Sequence, residues 1–281
     1  MSVQIIVDST ADLTPQAAQR VRIVPLAIRF GDREFIDGVT IDSRKFYEML
    51  VESDELPTTS QANPAVFGEA FAEAVARGHQ VVCITCSSRL SGTYQSAVIA
   101  AEEFPGKVFV VDSRTIALGS AILTQYALEL QDKGLSAEEI AWKLMQKREK
   151  VRLIAMLDTL EYLKKGGRIS KTVAFAGGLL NIKPVICIED GEIKMLGKAR
   201  GSRQGNNLLV QEIQKAGGVD FQKPLLLGYT GLSDTLLKKY IADSEALWQG
   251  NVDNLPVSIV GSVVGTHAGP GAVAVAFFSA E

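Results

Sequence analysis

The sequence predicts an α/β protein of two domains. An N-terminal domain with a parallel, doubly wound sheet is expected over residues 1–150, and a mixed-sheet α/β domain over residues 151–281. Short apolar runs rich in β-branched residues alternate with runs of helical periodicity, which is typical of parallel α/β architecture. In the second half, the apolar runs 186–188 and 193–195 flank an Asp-Gly pair. Because Asp-Gly favours an antiparallel hairpin, the second sheet is expected to be mixed.

Prolines and capping residues mark the elements of the N-terminal half. Thr14 and Asn63 each precede a proline, which favours a helix N-terminus, and Gly78 favours the end of the second of these helices. Two extended pieces around Gly31-Asp32 predict a small β-ribbon near residues 22–42. Strands are predicted over residues 3–7, 81–86 and 108–111, and further helices from residues 42 or 43 and 136.

The C-terminal half contains the remaining predicted elements. Its strands are expected over residues 153–157, 225–229, 257–260 and 273–277, and its helices near residues 203–216 and 233–247. The domain boundary near residue 150 carries no obvious flexible linker.

Composition excludes several classes of function. The chain has 281 residues, 29 of them basic and 32 acidic, and its net charge of −3 does not favour nucleic acid as a partner. It has no apolar stretch of transmembrane length and no signal-peptide pattern, so a cytoplasmic protein is expected. Cys83 and Cys86 form a C-x-x-C pair on a predicted strand, where residues three apart face opposite sides, so a structural role is favoured over a redox or zinc site.

Motifs for self-contained catalysis are absent from the sequence. It contains no phosphate-binding G-x-x-x-x-G-K-[ST], no G-x-G-x-x-G between a strand and a helix, no G-x-S-x-G and no H-E-x-x-H. Only two histidines are present, His79 and His267, and His79 follows a helix-ending glycine, where an exposed role is expected. We therefore expect no cofactor and no metal.

Three polar segments fall in predicted loops. They are PTTSQ at 57–61, SSRLSGTY at 87–94, and GTHAGPG at 265–271. Helix N-termini and the carboxyl ends of strands offer donors to anionic ligands. Taken singly, the first two segments are also typical of helix caps and turns, and His267 could have a purely structural role.

Positive charge concentrates in two further segments. LEYLKKGGRIS at 160–170 ends a short predicted helix in a cationic turn, and the apolar run 174–180 that follows contains two adjacent glycines. A second cluster comprises Lys194, Lys198, Arg200 and Arg203. Such a cluster is either an interaction surface or a solvated face.

Seven segments in order give the chain a resemblance to the DegV family. They are DSTADL at 8–13, PTTSQ, SSRLSGTYQSA, VVDS at 110–113, LEYLKKGGRIS, LLNIKPV at 179–185 and GTHAGPG. Together they cover the whole length of the chain. The departures are minor: Ala62-Asn63-Pro64 follows PTTSQ, where other members often have proline sooner.

The resemblance implies a fatty acid-binding subunit of a bacterial fatty acid kinase. Such a protein holds one long-chain fatty acid (C16–C18) between two domains, and a separate catalytic kinase subunit phosphorylates the acid to an acyl phosphate for phospholipid synthesis. By this resemblance Thr59, Ser91 and His267 contact the carboxylate. Residues implied as neighbours, backbone donors or edge positions are Thr58, Ser60, Ser88, Gly92 and Arg168. Arg200 is implied at the pocket edge or at the surface facing the kinase, and we extend that expected docking surface to Lys198 and Arg203.

The physical chemistry of a fatty acid suits this role. Each buried methylene contributes about 0.8 kcal/mol, so a C16 tail gains on the order of 12 kcal/mol before the costs of binding. The carboxylate needs donors in so apolar a site. We expect a carrier without turnover of its own, a role compatible with transient membrane contact. Two alternatives stay open: a stand-alone hydrolase or small-molecule kinase using Ser91 and His267, and a structural or regulatory interaction protein.

Overall fold

The computed structural model describes residues 2–169 and 181–281. Within these residues thirteen strands and eleven α-helices are found. The strands are β1 Val3–Asp8, β2 Arg22–Val24, β3 Ala27–Phe30, β4 Arg33–Ile36, β5 Thr58–Ser60, β6 Gln80–Thr85, β7 Val108–Asp112, β8 Val151–Met156, β9 Ile182–Glu189, β10 Glu192–Arg200, β11 Leu226–Tyr229, β12 Val257–Ile259 and β13 Val273–Phe278. The helices are α1 Pro15–Ala18, α2 Ser43–Glu52, α3 Pro64–Ala76, α4 Thr93–Ala101, α5 Leu118–Asp132, α6 Ala137–Lys147, α7 Glu161–Lys165, α8 Gly201–Lys215, α9 Thr235–Asp243, α10 Glu245–Trp248 and α11 Ser262–Ala268.

The N-terminal half forms the predicted parallel sheet, with strand order β2-β1-β6-β7. Its two central strands are almost wholly buried because helices cover both faces, which is why they read as continuous apolar runs. The capping predictions are confirmed: Thr14 and Asn63 accept hydrogen bonds from Ala17 and Val66 at the starts of α1 and α3. Cys83 lies buried on β6 and Cys86 just after it, as expected of structural thiols.

A small antiparallel sheet stands apart from the parallel one. Its order is β4-β3-β5, so the predicted ribbon gains a third strand. That strand is Thr58–Ser60, which the sequence assigned to a loop. A run of three residues is too short to show the alternation of polar and apolar side chains that marks a strand. The strand forms because Thr59 pairs with Ile28 of β3.

Among the described residues, the six strands that follow residue 150 form the second sheet, in the order β10-β9-β8-β13-β11-β12. Pairing between β11 and β12 is parallel and the other pairings are antiparallel, so the predicted mixed sheet is confirmed. The hairpin is confirmed too, since Asp190 and Gly191 at its turn both have positive φ, at 50° and 80°.

Helix α5 connects the two sheets. It packs against β1 and β6 of the first sheet and against β8, β11 and β13 of the second. One buried apolar cluster accordingly includes residues from both sheets, among them Val7, Leu123 and Ala274. The strands of the first sheet precede residue 150 and those of the second follow it, whereas the division into domains at that point stays a prediction.

Two further sequence expectations need correction. The GTHAGPG segment was expected to be a loop, but residues 265–268 belong to α11, and only the last three residues form the turn into β13. Gly265 allows that helix to approach α2 closely, because a Cβ there would lie 2.6 Å from the Tyr47 hydroxyl. The single helix near 233–247 is divided in two at Ser244, whose hydroxyl donates to the Tyr240 carbonyl at 2.6 Å.

Some expectations lie outside the described residues, namely Ser170 and the apolar run 174–180 with its two glycines. Among the helices in the described ranges, none combines the length and apolar character needed to cross a bilayer.

Candidate functional site

An apolar cavity of about 250 Å³ lies between the two large sheets. Its apolar wall includes Leu153 and Ala155 of β8, Ile186 of β9 and Val263 of α11. Polar side chains gather at one part of this wall, from β5, from the loop after β6 and from α11. A mostly apolar cavity with a few convergent polar groups is the usual form of a small-molecule site.

Thr59 and His267 meet at the polar part of the cavity. Thr59 Oγ1 lies 2.9 Å from His267 Nε2, and both residues line the cavity. The contact depends on two packing arrangements distant in sequence: β5 pairs with β3, and α11 packs against β3 and β5. Two of the three residues expected at a carboxylate are thus brought together.

Electrostatics keep the His267 ring neutral at physiological pH. Burial, with a smaller contribution from the nearby Arg168 charge, lowers the pKa of His267 to about 4. Its Nδ1 atom is buried and has no hydrogen-bond partner among the described residues. The ring is held against Gly166, where any Cβ would collide with Nδ1. His267 can therefore act on an anion through a hydrogen bond rather than through charge.

Ser91 lines the same cavity from the turn before α4. Its hydroxyl lies 2.9 Å from Thr93 Oγ1 and accepts the Thr93 N–H at 3.2 Å. The neighbouring Gly92 also lines the cavity, and a Cβ there would collide with the Gln61 side chain. The SSRLSGT segment therefore places a hydroxyl and a glycine backbone against the cavity.

Arg168 brings a positive charge to the cavity wall. Its Nη1 donates to the Gly166 carbonyl at 2.6 Å and its Nε to the Leu90 carbonyl at 3.3 Å. The guanidinium thus bridges the glycine beside His267 and the residue before Ser91. Two of its N–H groups are thus used on backbone carbonyls, so Arg168 offers the cavity its charge and its remaining donors.

The other predicted residues divide between the cavity and the surface. Ser60 lines the cavity, whereas Thr58 is exposed on β5. Ser88 does not line it, because its hydroxyl donates to Asp112 Oδ2 at 2.6 Å. Ser88 is instead tied to Asp112 at the end of β7.

The expected docking residues lie on the exterior. Lys198 and Arg200 are exposed at the end of β10, and Arg203 is exposed in the first turn of α8. None of the three lines the cavity. Their docking role stays a prediction, but Arg200 does not form part of the described cavity wall.

A buried acidic group near the cavity was not identified from sequence. Asp8, Asp12 and Asp37 are all buried, and burial raises the pKa of each. Asp8 accepts the Cys86 N–H at 2.7 Å and the Thr10 hydroxyl, and both partners line the cavity. The signal was present in DSTADL, where two aspartates follow a buried strand. Their role is to hold the loops that form the cavity.

The geometry does not complete a catalytic triad. Ser91 bonds Thr93, and no carboxylate among the described residues orients His267 Nδ1. Across residues 2–169 and 181–281, His, Cys, Asp and Glu side chains form no cluster of three suited to a metal ion.

Comparisons with known proteins agree with this geometry. A family model described as "Uncharacterised protein, DegV family" matches residues 2–280. A DegV domain-containing protein of Caldanaerobacter subterraneus subsp. tengcongensis is 34% identical over 280 residues, 98% of each chain.

Solved structures agree as well. A Thermus thermophilus DegV family protein described as fatty acid binding is 31% identical, with a TM-score of 0.87 over 99% of this chain and 100% of that one. The Streptococcus pneumoniae fatty acid kinase B3 protein, loaded with linoleic acid, is 26% identical, with a TM-score of 0.84 over 99% of each chain. This chain belongs to the DegV family.

Proposed function

We propose that this protein binds one long-chain fatty acid in the cavity between its two large sheets. The observation that carries the proposal is the cavity itself, whose wall is mostly apolar and includes the hydroxyl, imidazole and guanidinium side chains of Thr59, Ser91, His267 and Arg168. An alkyl chain gains free energy by leaving water for such a wall, and a carboxylate is tolerated only where donors meet it. The fatty acids bound by the similar solved structures support the same ligand class.

Thr59, Ser91 and His267 form the proposed carboxylate site. A neutral His267 with a proton on Nε2 donates to Thr59 Oγ1, and the Thr59 hydrogen is then directed to the acid. Ser91 donates a second hydrogen bond, and Arg168 adds positive charge at the cavity wall. Hydroxyl donors hold the carboxylate without enclosing it, so one oxygen stays available for reaction.

We further propose that a separate kinase subunit phosphorylates the bound acid to an acyl phosphate. This chain positions the carboxylate, and the partner supplies ATP, Mg²⁺ and the phosphoryl-transfer machinery. The match to a fatty acid kinase B protein supports this role. Because the partner uses ATP, the proposal assigns the protein to the cytoplasm, as a carrier without turnover of its own.

Mass spectrometry under native and denaturing conditions tests the first step. Protein expressed in bacteria should carry about one equivalent of a C16 or C18 acid, which solvent extraction and gas chromatography then identify. Protein that is repeatedly recovered without lipid and rejects added palmitate and oleate would refute the proposal. For the second step, acyl phosphate should form from radiolabelled ATP only when kinase and carrier are both present.

A further inference from the structure

The β9–β10 hairpin is joined to the rest of its sheet along only part of its length. Strand β8 pairs with β13 at six residues, from Val151 to Met156, but with β9 at three, from Ile154 to Met156. Beyond Cys187, residues 188 and 189 of β9 pair with β10 but not with β8. The strands β8 and β9 therefore diverge towards the hairpin turn.

A second cavity, of about 590 Å³, occupies the space where these strands diverge. Unlike the first, it is polar, and its wall includes Arg114, Arg152 and Glu189. Cys187 and Ile188 line both cavities. At this point a single stretch of the hairpin separates the apolar interior from a polar, solvent-facing space.

The turn of the hairpin is held against the first sheet. The buried Ser87 hydroxyl donates to the Gly191 carbonyl at 2.7 Å, and Arg89 Nη1 lies 3.7 Å from Glu192 Oε1. Gly191 permits this close approach, because its φ is +80° and a Cβ there would lie 2.5 Å from Ser87 Oγ. Ser87 begins the turn that carries Ser91, so the contact also adjoins the polar part of the apolar cavity.

We propose that this contact is a latch for ligand exchange, an inference that rests on the proposed fatty acid function. When the hydrogen bond between Ser87 and Gly191 breaks, the turn end of the hairpin, which is not paired with β8, moves away from that strand. Ile188 moves with it. The apolar cavity then opens into the polar one, and the acyl chain passes between β8 and β9. Closure restores the apolar wall and retains the chain.

A reversible cross-link gives the sharpest test. A Cβ on Gly191 would lie 3.6 Å from Arg89 Cβ, within the range of a disulfide. The variant Arg89→Cys/Gly191→Cys should therefore form a disulfide, which peptide mapping verifies. Because the new Cβ displaces Ser87 Oγ, the disulfide replaces the hydrogen bond as the tie between the turn and the hairpin. Transfer of bound cis-parinaric acid to phosphatidylcholine vesicles, followed by stopped-flow fluorescence, should slow by roughly tenfold or more in the oxidised variant. Dithiothreitol should restore rapid transfer in the same sample, which separates the latch from any general effect of the substitutions.

Weakening the latch should have the opposite effect. Ser87→Ala removes the hydrogen bond to Gly191, so transfer should become about two- to tenfold faster. Ser88→Ala is the matched control, since its hydroxyl bonds Asp112 rather than the hairpin, and its transfer rate should be unchanged. Hydrogen exchange over residues 186–195 should rise in Ser87→Ala alone.

The outcomes separate this inference from the function on which it rests. If the wild type binds cis-parinaric acid but the oxidised variant transfers it at the wild-type rate, the latch is refuted and the fatty acid function stands. If the wild type takes up neither cis-parinaric acid nor palmitate, the fatty acid function is refuted, and the latch with it.

Discussion

Thr59 and His267, which are 208 positions apart in the chain, meet with 2.9 Å between Thr59 Oγ1 and His267 Nε2. Thr59 belongs to the small antiparallel sheet, whereas His267 lies in the last turn of a helix between two strands of the six-stranded sheet. The contact is therefore a direct link between the two halves of the chain, made at the cavity wall. A ligand that bonds to Thr59 therefore also changes the surroundings of the His267 ring.

Substitution of the three residues of the proposed carboxylate site should discriminate between an acid and its ester. Thr59→Val, Ser91→Ala and His267→Ala should each weaken palmitate binding by about 1.5–3 kcal/mol. The first two remove a hydrogen bond to the carboxylate, and the third removes the group that directs the Thr59 hydroxyl towards it. Methyl palmitate carries no charge and should lose less. Displacement of a fluorescent fatty acid measures both affinities.

Thr58→Val is the control for these substitutions, since Thr58 is exposed on the same short strand and does not line the cavity. Its affinities should match those of the wild type. Equal losses for acid and ester in the three test variants would mean that these residues shape the cavity and do not bind the carboxylate.

Fatty acid binding should raise the pKa of His267. In the free protein the ring is expected to titrate near the lowered value of about 4, because burial and Arg168 disfavour the imidazolium. A carboxylate beside it favours the charged form, so the pKa should increase when palmitate binds. NMR titration with and without palmitate measures both values, and His267→Asn assigns the resonance, because the chain has only two histidines. An unchanged pKa would place the carboxylate elsewhere.

The same lowered pKa makes stability depend on pH. Between the unfolded-state pKa, about 6.5, and the folded-state pKa of about 4, the unfolded chain binds a proton that folded His267 does not. This group therefore lowers the free energy of unfolding as pH falls through that interval. Urea unfolding of the ligand-free protein at several pH values should show the decrease, and His267→Asn should reduce its slope. An identical slope in the variant would show that His267 is not buried in its neutral form.

The sequence predicted the sheets better than it predicted the site. Strands such as β1 and β6 can be recognised in the sequence as continuous apolar runs, because both of their faces are buried. The Asp-Gly pair likewise marks the turn of the hairpin. The resemblance selected Thr59, Ser91 and His267, and all three line the cavity. It also implied Ser88 as a neighbour of the ligand, because only the fold determines which hydroxyl of one turn faces Asp112. Helix α11 was missed because three glycines and a proline in seven residues are typical of a loop, and the helix forms by packing against α2.

Gly166→Ala should displace His267 and weaken ligand binding without a direct contact to the ligand. The new methyl group would collide with His267 Nδ1, and overpacking of this kind costs about 1–3 kcal/mol of stability. Gly68→Ala is the control, because Gly68 lies in α3 with open space at its Cβ position. That variant should gain about 0.5–1 kcal/mol. In Gly166→Ala the temperature of thermal unfolding and the affinity for palmitate should both fall. An affinity equal to that of the wild type would show that palmitate binding does not require this position of His267.

Arg200→Glu should impair phosphorylation of the bound acid while leaving lipid affinity nearly unchanged. Arg200, Lys198 and Arg203 concentrate positive charge at the junction of β10 and α8, on a chain whose net charge is −3. Complementary charge at an interface mainly affects encounter rate and specificity. None of the three lines the cavity. Charge reversal there should therefore weaken docking of the kinase and leave the affinity for the lipid unchanged.

Salt dependence distinguishes docking from an effect on the cavity. Acyl phosphate formation is measured with limiting kinase and radiolabelled ATP, and lipid affinity by fluorescent fatty acid displacement. Lys107→Glu is the control: it reverses one exposed charge before β7, in the N-terminal half, and should change neither quantity. The wild type should lose activity as salt is raised, because screening removes the attraction, whereas Arg200→Glu should depend less on salt. Lipid affinity that falls in step with activity would place Arg200 in the ligand site, and unchanged activity would make the cluster a solvated face.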